Sequence, residues 1–201
     1  MTKQVVIIHG GTTFTTYRDY IKYLETRELS LDRIRPALDW KATIGTDLGK
    51  NYDVIAPKMP NNTNAKYKEW KIWFERITHL LGDEVILVGH SLGGVFLAKF
   101  LSESNLPAKI KAVFLVAAPF DDSDIEDEDL TEFKLPKSLA NISSQASKIY
   151  LLHSKDDPVV PFSHLEKYSQ ALPGAKKVIF KNNGHFRQPT FPEIAKLINS
   201  L

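Results

Sequence analysis

Short runs of apolar residues, separated by stretches with helical periodicity, constrain the fold of this chain more than any other feature of its sequence. Each run is largely continuous in its apolar character, which is typical of strands that are buried on both faces of a parallel sheet. The runs are Val5–Ile8, Val54–Ala56, Val85–Val88, Ala112–Val116, Ile149–Leu152 and Lys177–Phe180. Because strands that alternate with helices form right-handed β-α-β units, the sequence predicts an α/β fold. We expect three layers, with helices on both faces of a doubly wound, mostly parallel, six-stranded sheet.

Helical periodicity fills most of the segments between these runs. Aromatic and aliphatic residues recur at helical spacing in residues 65–81, which predicts a helix that packs Trp70 and Trp73 into the core. Further helices are predicted at Leu92–Leu101, Ser163–Ala171 and Pro192–Leu201. The segment between the first two strands is too long for one crossover helix, which indicates a helical insertion at about residues 14–36 and a second helix at about 38–50. The insertion either covers a site at the carboxyl end of the sheet or packs on the flank of the sheet.

The length of 201 residues is nearly consumed by these elements, so we expect a single domain over residues 1–201 without a separate cap domain. The chain contains no Cys, which excludes disulfides, thiolate metal sites and a Cys nucleophile. Only four residues precede the first strand, too few for a targeting or membrane segment. We therefore expect a cytoplasmic protein that is a monomer or a weak homo-oligomer.

The charges of the chain are unevenly distributed. The formal net charge is only +2, which gives no reason to expect nucleic acid or a membrane as a partner. An acidic loop at about residues 121–132 nevertheless carries eight of the 24 acids and no base, so 16 acids remain elsewhere against 26 bases. Such a charge run is either a solvated loop or a flap beside a site.

The pentapeptide Gly89-His90-Ser91-Leu92-Gly93 follows a predicted strand directly and precedes a predicted helix. In this context the pattern G-x-S-x-G predicts a nucleophile elbow, a sharp turn that projects the serine hydroxyl above the sheet. The hydroxyl then lies at the positive end of a helix, where a developing oxyanion is stabilised. Ser91 is therefore the predicted nucleophile.

A serine nucleophile in this architecture needs an acid and then a histidine later in the chain. Of the six histidines, His185 is the predicted base, because it lies in a polar loop directly after the last strand. Asp156 and Asp157 both follow the strand Ile149–Leu152, in a turn fixed by Pro158. Their positions alone do not decide which carboxylate orients His185.

The oxyanion would need two backbone N–H donors. We expect them at Leu92, directly after the nucleophile, and at Gly11 in the loop after the first strand, with Thr12 as the alternative to Gly11. That loop lacks the Gly-Lys-Ser/Thr ending of a phosphate-binding loop and does not read G-x-G-x-x-G, so nucleotide binding is unsupported. The residues around His153 and His164 lack the spacing of a metal site, and we expect no metal and no cofactor.

Five aromatic residues near the ends of loops are candidates for an apolar acyl pocket, although core packing is an equally good interpretation for each. They are Phe14, Trp40, Phe120, Phe162 and Phe186.

The chain resembles the α/β-hydrolase superfamily along nearly its whole length and, within it, the compact serine hydrolases that include bacterial YdeN and the retinoblastoma-binding serine hydrolase. The resemblance rests on Gly89-His90-Ser91, on Ser154-Lys155-Asp156-Asp157-Pro158 and on Gly184-His185-Phe186, with support from Met59-Pro60-Asn61 and Trp70. It implies that Asp157 is the acid, because the acid of similar sequences precedes the x-x-Val-Pro that opens the next helix. The insertion near 14–36 departs from the family, and a chain without Cys lacks the Leu-x-Cys-x-Glu motif for retinoblastoma binding.

These observations predict a serine hydrolase that cleaves carboxylic esters of small to medium acyl groups through an acyl-enzyme. The expected partner is a small-molecule ester. The alternatives are a hydrolase-fold protein that acts by binding another protein with little or no turnover, and an acyltransferase, thioesterase or amidase with the same triad.

Overall fold

A computed structural model describes residues 2–35, 38–125 and 129–201 of the chain. These residues form six strands, and their order in the sheet is β2-β1-β3-β4-β5-β6 with every neighbouring pair parallel. The strands are β1 (Lys3–Ile8), β2 (Tyr52–Ile55), β3 (Glu84–His90), β4 (Lys109–Val116), β5 (Ile149–Ser154) and β6 (Lys176–Phe180). The predicted three-layer α/β fold with a six-stranded sheet is confirmed.

Eight α-helices lie within the described residues, seven of them between strands and the last after β6. They are α1 (Tyr17–Thr26), α2 (Leu31–Ile34), α3 (Trp40–Leu48), α4 (Tyr67–Thr78), α5 (Leu92–Glu103), α6 (Ala140–Gln145), α7 (Ser163–Ala171) and α8 (Pro192–Asn199), and a 3₁₀ turn covers Thr131–Phe133. No helix of the described residues is long and apolar enough to cross a membrane.

The sheet separates two hydrophobic cores. Side chains of successive β1 residues point to opposite faces, so Val5 belongs to the core under α3 and α8, and Val6 belongs to the core under α4, α5 and α7. Both faces of the central strands are therefore covered, which explains why their sequences are continuously apolar.

Three details of the sequence prediction differ from the structure. The strands β2 and β6 lie at the edges of the sheet and contain no buried residue, so the prediction of burial on both faces is wrong for these two strands. The helix predicted over residues 65–81 is α4, which is shorter at both ends, and its Trp73 is 41% exposed instead of buried. The buried face of α4 passes through Tyr67, Trp70 and Phe74. Trp73 lies about 100° from Phe74 around the helix axis, at the margin of that face.

The sheet brings several strand ends to one edge. In the observed register Ile8 lies beside Gly89, His90 beside Val116, and Ser154 beside Phe180. The loops after β1, β3, β5 and β6 therefore leave the sheet on the same side, where an open parallel sheet binds its ligands.

Candidate active site

Ser91 lies in the sharp turn between β3 and α5. Its backbone has φ 54° and ψ −124°, a conformation that a residue with a side chain rarely adopts and that costs about 1–3 kcal/mol. The Ser91 N–H donates to the Val116 carbonyl at 2.8 Å, which ties the turn to β4. Its side chain makes no capping hydrogen bond to α5, so the hydroxyl is not used to complete the helix. The predicted elbow is present in backbone geometry.

Two glycines of the elbow are required by close backbone packing. A Cβ on Gly93 would lie 2.3 Å from the Ile8 carbonyl oxygen, and one on Gly89 would lie 2.5 Å from the Gly93 carbonyl oxygen. No side chain fits at either position, which explains the spacing of glycines around Ser91.

The loop after β1 approaches the elbow closely. A Cβ on Gly10 would lie 3.1 Å from the Ser91 Cβ, and one on Gly11 would lie 2.6 Å from the Asn62 carbonyl oxygen. The Thr12 N–H already donates to that Asn62 carbonyl at 2.8 Å, so this alternative oxyanion donor is occupied. Leu92 is the first residue of α5, and an α-helix leaves the N–H groups of its first turn without intrahelical acceptors.

His9 fixes the position of the same loop. Its Nε2 accepts a hydrogen bond from the Met59 N–H at 2.8 Å, and its Nδ1 lies 2.6 Å from the Gly10 carbonyl, to which it donates. The ring also meets the edge of Trp70 at 5.7 Å between centroids. A neutral His9 with its proton on Nδ1 satisfies both hydrogen bonds.

His185 and Asp157 are in direct contact. The Nδ1 of His185 lies 2.9 Å and 3.0 Å from the two carboxylate oxygens of Asp157. The Asp157 side chain is fully buried and also accepts hydrogen bonds from the N–H groups of Val159 and Val160, at 2.8 Å and 3.0 Å. This pairing leaves Nε2 as the ring nitrogen of His185 that is free to exchange a proton with a substrate or nucleophile.

The neighbouring Asp156 has a different set of partners. Its carboxylate accepts hydrogen bonds from the Ser154 hydroxyl and from the Gly184 N–H, which is at 3.0 Å, while the Ser154 hydroxyl accepts one from the Asn183 N–H at 2.9 Å. The hydrogen bond from Ser154 and that from Gly184 hold the pKa of Asp156 below its usual range. Asp156 therefore anchors the loop that carries His185 and does not contact the imidazole.

Two further histidines support the site from within the protein. His90 donates from Nε2 to the His185 carbonyl at 2.8 Å, and burial holds the pKa of His90 well below its ordinary value. His153 donates to the Val160 carbonyl at 2.9 Å, and burial also lowers its pKa. The two rings position the loops of the site, His90 that of His185 and His153 that of Asp157, and their lowered pKa values favour the neutral form.

Ser91 and His185 line one open depression of about 450 Å³. Gly10, Gly11 and Thr12 lie along it, together with Asn62, Thr63 and Val159. Arg27, Lys41, Arg187, Asp39 and Leu38 complete much of the remaining wall. The structure therefore brings the predicted nucleophile, the predicted base and the glycine loop to one surface.

The five aromatic residues predicted for an acyl pocket do not line this depression. Trp40 and Phe186 are fully buried in the core under α3 and α8, where the Trp40 Nε1–H donates to the Phe186 carbonyl at 2.9 Å. Phe120 and Phe162 pack against the other core. Phe14 is buried against Tyr20 and Tyr23 of α1. That interpretation of the aromatics is corrected, because Trp40, Phe120, Phe162 and Phe186 gain more by packing on the two cores than by facing water, and Phe14 packs on α1 instead.

Sequence reasoning also missed the charged wall of the depression. Arg187 follows His185 by two residues, and Lys41 is the second residue of α3, which was predicted as a helix without a role in the site. Proximity to His185 was the one signal that pointed to Arg187. The sequence pattern allowed the insertion that contains Arg27 to cover a site but singled out no residue of it, and nothing in the pattern placed Lys41 of α3 at the site.

The insertion near 14–36 contains α1 and α2, while Pro36 and Ala37 lie outside the described residues. No residue of α1 is buried, so this helix lies on the surface and contributes little to the cores. Its N-terminus is closed by a capping box between Thr16 and Asp19. Arg27, at the end of α1, lines the depression.

The acidic loop is attached at both ends, and residues 126–128 lie outside the described part of the chain. Asp121 forms an ion pair with Lys167 at 2.8 Å, and the carboxylate of Asp129 accepts a hydrogen bond from the Thr15 hydroxyl at 2.7 Å. Lys134 pairs with Asp122 at 2.7 Å. The described parts of the loop are thus held by bases and by the segment after β1.

Comparisons with known proteins agree with this geometry. The model of the serine hydrolase family matches residues 35–191. The serine hydrolase RBBP9 of Rattus norvegicus is 26% identical over 151 residues, which cover 75% of this chain and 78% of that protein. The putative hydrolase YdeN of Bacillus subtilis is 28% identical over 187 residues, which cover 92% of this chain and 87% of that protein.

Solved structures show the same fold. The crystal structure of the ydeN gene product of B. subtilis superposes with a TM-score of 0.77 at 24% identity and covers 99% of this chain and 98% of that one. The esterase domain of a Rhodothermus marinus protein superposes with a TM-score of 0.63 at 15% identity and covers 98% of this chain and 85% of that one. The fold is that of the α/β-hydrolases. Because the family model matches most of the length of this chain, the chain belongs to the serine hydrolase family.

Proposed function

We propose that this member of the family cleaves carboxylic esters of small to medium acyl groups through an acyl-enzyme formed on Ser91. The observation that carries the proposal is the contact of His185 Nδ1 with the buried Asp157 carboxylate, in a depression that Ser91 and His185 share. A serine on a strained turn and a histidine oriented by a buried acid are the parts that nucleophilic acyl transfer requires.

In the proposed mechanism the Ser91 hydroxyl attacks the ester carbonyl while His185 accepts its proton at Nε2. Asp157 keeps the other ring nitrogen protonated and stabilises the imidazolium, without taking the proton itself. The new bond joins Ser91 Oγ to the acyl carbon, and the alcohol leaves with the proton from His185. Water then attacks the acyl-enzyme by the same route and releases the acid.

The N–H groups of Leu92 and Gly11 are the proposed oxyanion donors. The Leu92 N–H lies at the start of α5, and the Gly11 backbone is part of the loop that reaches Ser91. In other serine hydrolases the loss of one such donor costs about 3–4 kcal/mol of transition-state stabilisation.

The polar wall of the depression supports small to medium acyl groups over long ones. Its walls include Asn62, Thr63 and three basic side chains, and the five aromatic residues are absent from its lining. A long aliphatic chain would leave most of its surface in water there, so each added methylene would contribute less than the roughly 0.8 kcal/mol of full burial.

Labelling with a fluorophosphonate tests the nucleophile directly. Wild-type protein is expected to gain one label at Ser91, detected by intact mass, and the S91A variant is expected to gain none while it keeps the circular dichroism of the wild type. Folded wild-type protein that remains unlabelled would contradict a serine hydrolase and favour a role in binding another protein.

A series of 4-nitrophenyl esters tests the acyl size. We expect kcat/KM to be highest for the acetate and butyrate and to fall for the octanoate and laurate. A steady rise up to the laurate would contradict the proposed acyl size while leaving the chemistry intact. Parallel assays with thioesters, amides and an alcohol acceptor separate esterase activity from thioesterase, amidase and acyltransferase activity.

A further inference from the structure

The depression around Ser91 carries an excess of positive charge. Arg27, Lys41 and Arg187 line it, and Asp39 is the acid among the side chains that line it with them. A neutral ester carries no negative charge that these basic side chains could bind. Ester hydrolysis alone therefore does not explain why they line the depression.

Asp39 is already engaged by the protein. Its carboxylate pairs with the Lys41 ammonium at 2.6 Å and accepts the Lys41 backbone N–H at 2.9 Å as the N-cap of α3. The Lys41 side chain is largely buried, and burial together with the charge of Arg187 lowers its pKa. The pair of Lys41 and Asp39 is therefore internally neutralised, which leaves the two arginines.

Neither arginine forms an ion pair with a carboxylate whose side chain the structure describes. Arg187 is exposed. Its positive charge contributes to lowering the pKa of Lys41 and that of His90, because it disfavours their protonated forms. Glu193 lies in an adjoining depression that Arg187 also lines, without an ion pair between them. The guanidinium of Arg27 lies over the Tyr23 ring, 5.2 Å from its centroid, which is a cation–π contact.

We propose that Arg187, with Arg27, binds an anionic group of the substrate, so that the ester hydrolysed here carries a carboxylate on its acyl or its alcohol part. A guanidinium presents paired N–H donors that match a carboxylate in two parallel hydrogen bonds. Arg187 lies two residues beyond His185 and lines the same depression as Ser91, so a charge on a small ester reaches it while the carbonyl lies at the nucleophile. This inference rests on the proposed esterase function and adds its substrate class.

Two matched pairs of esters test the proposal and identify the part of the substrate that carries the charge. On the acyl side, monoethyl glutarate is compared with ethyl pentanoate, and on the alcohol side, 3-acetoxypropanoate is compared with propyl acetate, each by titration of the released acid at low salt. We expect kcat/KM of the anionic ester to exceed that of its neutral partner by about tenfold in at least one pair, which corresponds to a charge-assisted hydrogen bond. Added salt should reduce this ratio, because it screens exposed charges.

The variants R187Q and R27Q are expected to lower the ratio, by about tenfold for R187Q, through a higher KM for the anionic ester. R187K should restore part of the ratio, since it keeps the charge and loses the paired donors. R76Q is the matched control, because Arg76 is also placed against an aromatic ring, that of Trp73, on a surface outside the depression. It should leave the ratio unchanged.

Protection of Ser91 from the fluorophosphonate gives a readout that needs no turnover. Glutarate should slow labelling of the wild type and not of R187Q, and the neutral glutaramide should slow neither. If the neutral esters are hydrolysed and the anionic ones are hydrolysed no faster, the proposed substrate class is wrong while the esterase function stands. The same conclusion follows if glutarate does not slow the labelling. A protein that neither takes the label nor hydrolyses any of the four esters would overturn the esterase function itself.

Discussion

At the scale of single residues, the site depends on two adjacent carboxylates that face different partners. Asp157 is held by two backbone N–H groups and contacts His185 Nδ1 at 2.9 Å, whereas Asp156 contacts the Ser154 hydroxyl and the Gly184 N–H. The first is placed to orient the imidazole, and the second is placed to hold the loop on which the imidazole sits. Their substitution should therefore have unequal consequences.

We expect D157N to lower kcat by about 10³–10⁴-fold, because the amide no longer stabilises the imidazolium or the correct tautomer. D156N keeps an oxygen that accepts the Ser154 hydroxyl and should lower kcat by about tenfold or less, through a looser loop. The measurement is kcat for 4-nitrophenyl butyrate, with circular dichroism to verify folding. A D156N variant as impaired as D157N would show that the assignment of the two carboxylates is wrong.

The sequence predicted Ser91 and His185 from strand ends and chain order, but it could not separate Asp156 from Asp157. Both lie in one turn after one strand, and only the direction of each side chain distinguishes them. The resemblance to the family selected Asp157, and the structure places that carboxylate on the imidazole. The charged wall was missed for a related reason, since Arg27 reaches the site from an insertion whose path no local pattern specifies.

At the scale of elements, the position of Ser91 depends on how closely α5 approaches β1 and β3. The approach is so close at Gly93 that an added Cβ would overlap the carbonyl oxygens of Ile8 and His9, at 2.3 Å and 2.5 Å. Both oxygens belong to backbone that also positions the glycine loop. A substitution here would displace the elbow and that loop together.

The G93A variant is expected to lose more than about 3 kcal/mol of unfolding free energy, because backbone atoms on both sides must move. G174A is the matched control: a Cβ at Gly174 meets nothing within 4 Å, so this change should be neutral or stabilise by about 0.4–1 kcal/mol. Urea denaturation of both variants measures the difference. Equal stability of G93A and the wild type would contradict the packing of α5 described above.

Most elements were predictable because apolar periodicity alone specifies a buried strand or an amphipathic helix. The strands were placed within a few residues, and so were α3, α5, α7 and α8. Prediction failed where burial is partial. Trp73 was assigned to the hydrophobic core although it lies at the margin of the buried face of α4. The helix α6 was not predicted, because its six residues are too few to show a helical period.

At the scale of the whole molecule, nearby lysines neutralise part of the negative charge of the acidic loop. Asp121 pairs with Lys167, and Asp122 and Asp129 pair with Lys134. His164 completes this attachment: its Nδ1 accepts the Phe120 N–H at 2.9 Å and its Nε2 donates to the Ser123 carbonyl at 3.0 Å. The start of the acidic loop is therefore held by a histidine that must be neutral to make both hydrogen bonds.

Three buried histidines with pKa values below the ordinary one, His90, His153 and His164, link the stability of the whole fold to pH. Burial is the first cause in each case, so the unfolded chain binds protons that the folded chain does not. Stability from this source is complete above the unfolded pKa of about 6.5 and is lost as the pH falls below it. The carboxylates Asp121, Asp129 and Asp156 also have lowered pKa values, but their contribution is lost only near pH 4 and below.

The unfolding free energy in urea should therefore fall as the pH decreases below about 6.5, by up to about 1.4 kcal/mol per pH unit for each of these histidines. H164Q removes one titrating ring and also lowers the stability at neutral pH. The quantity to compare is therefore the slope of the unfolding free energy against pH. Its slope should be lower than that of the wild type by up to about 1.4 kcal/mol per pH unit. H79Q is the control, because the His79 side chain is exposed at the end of α4, as it is in the unfolded chain. Identical slopes for H164Q and the wild type would show that protonation of His164 is not coupled to unfolding.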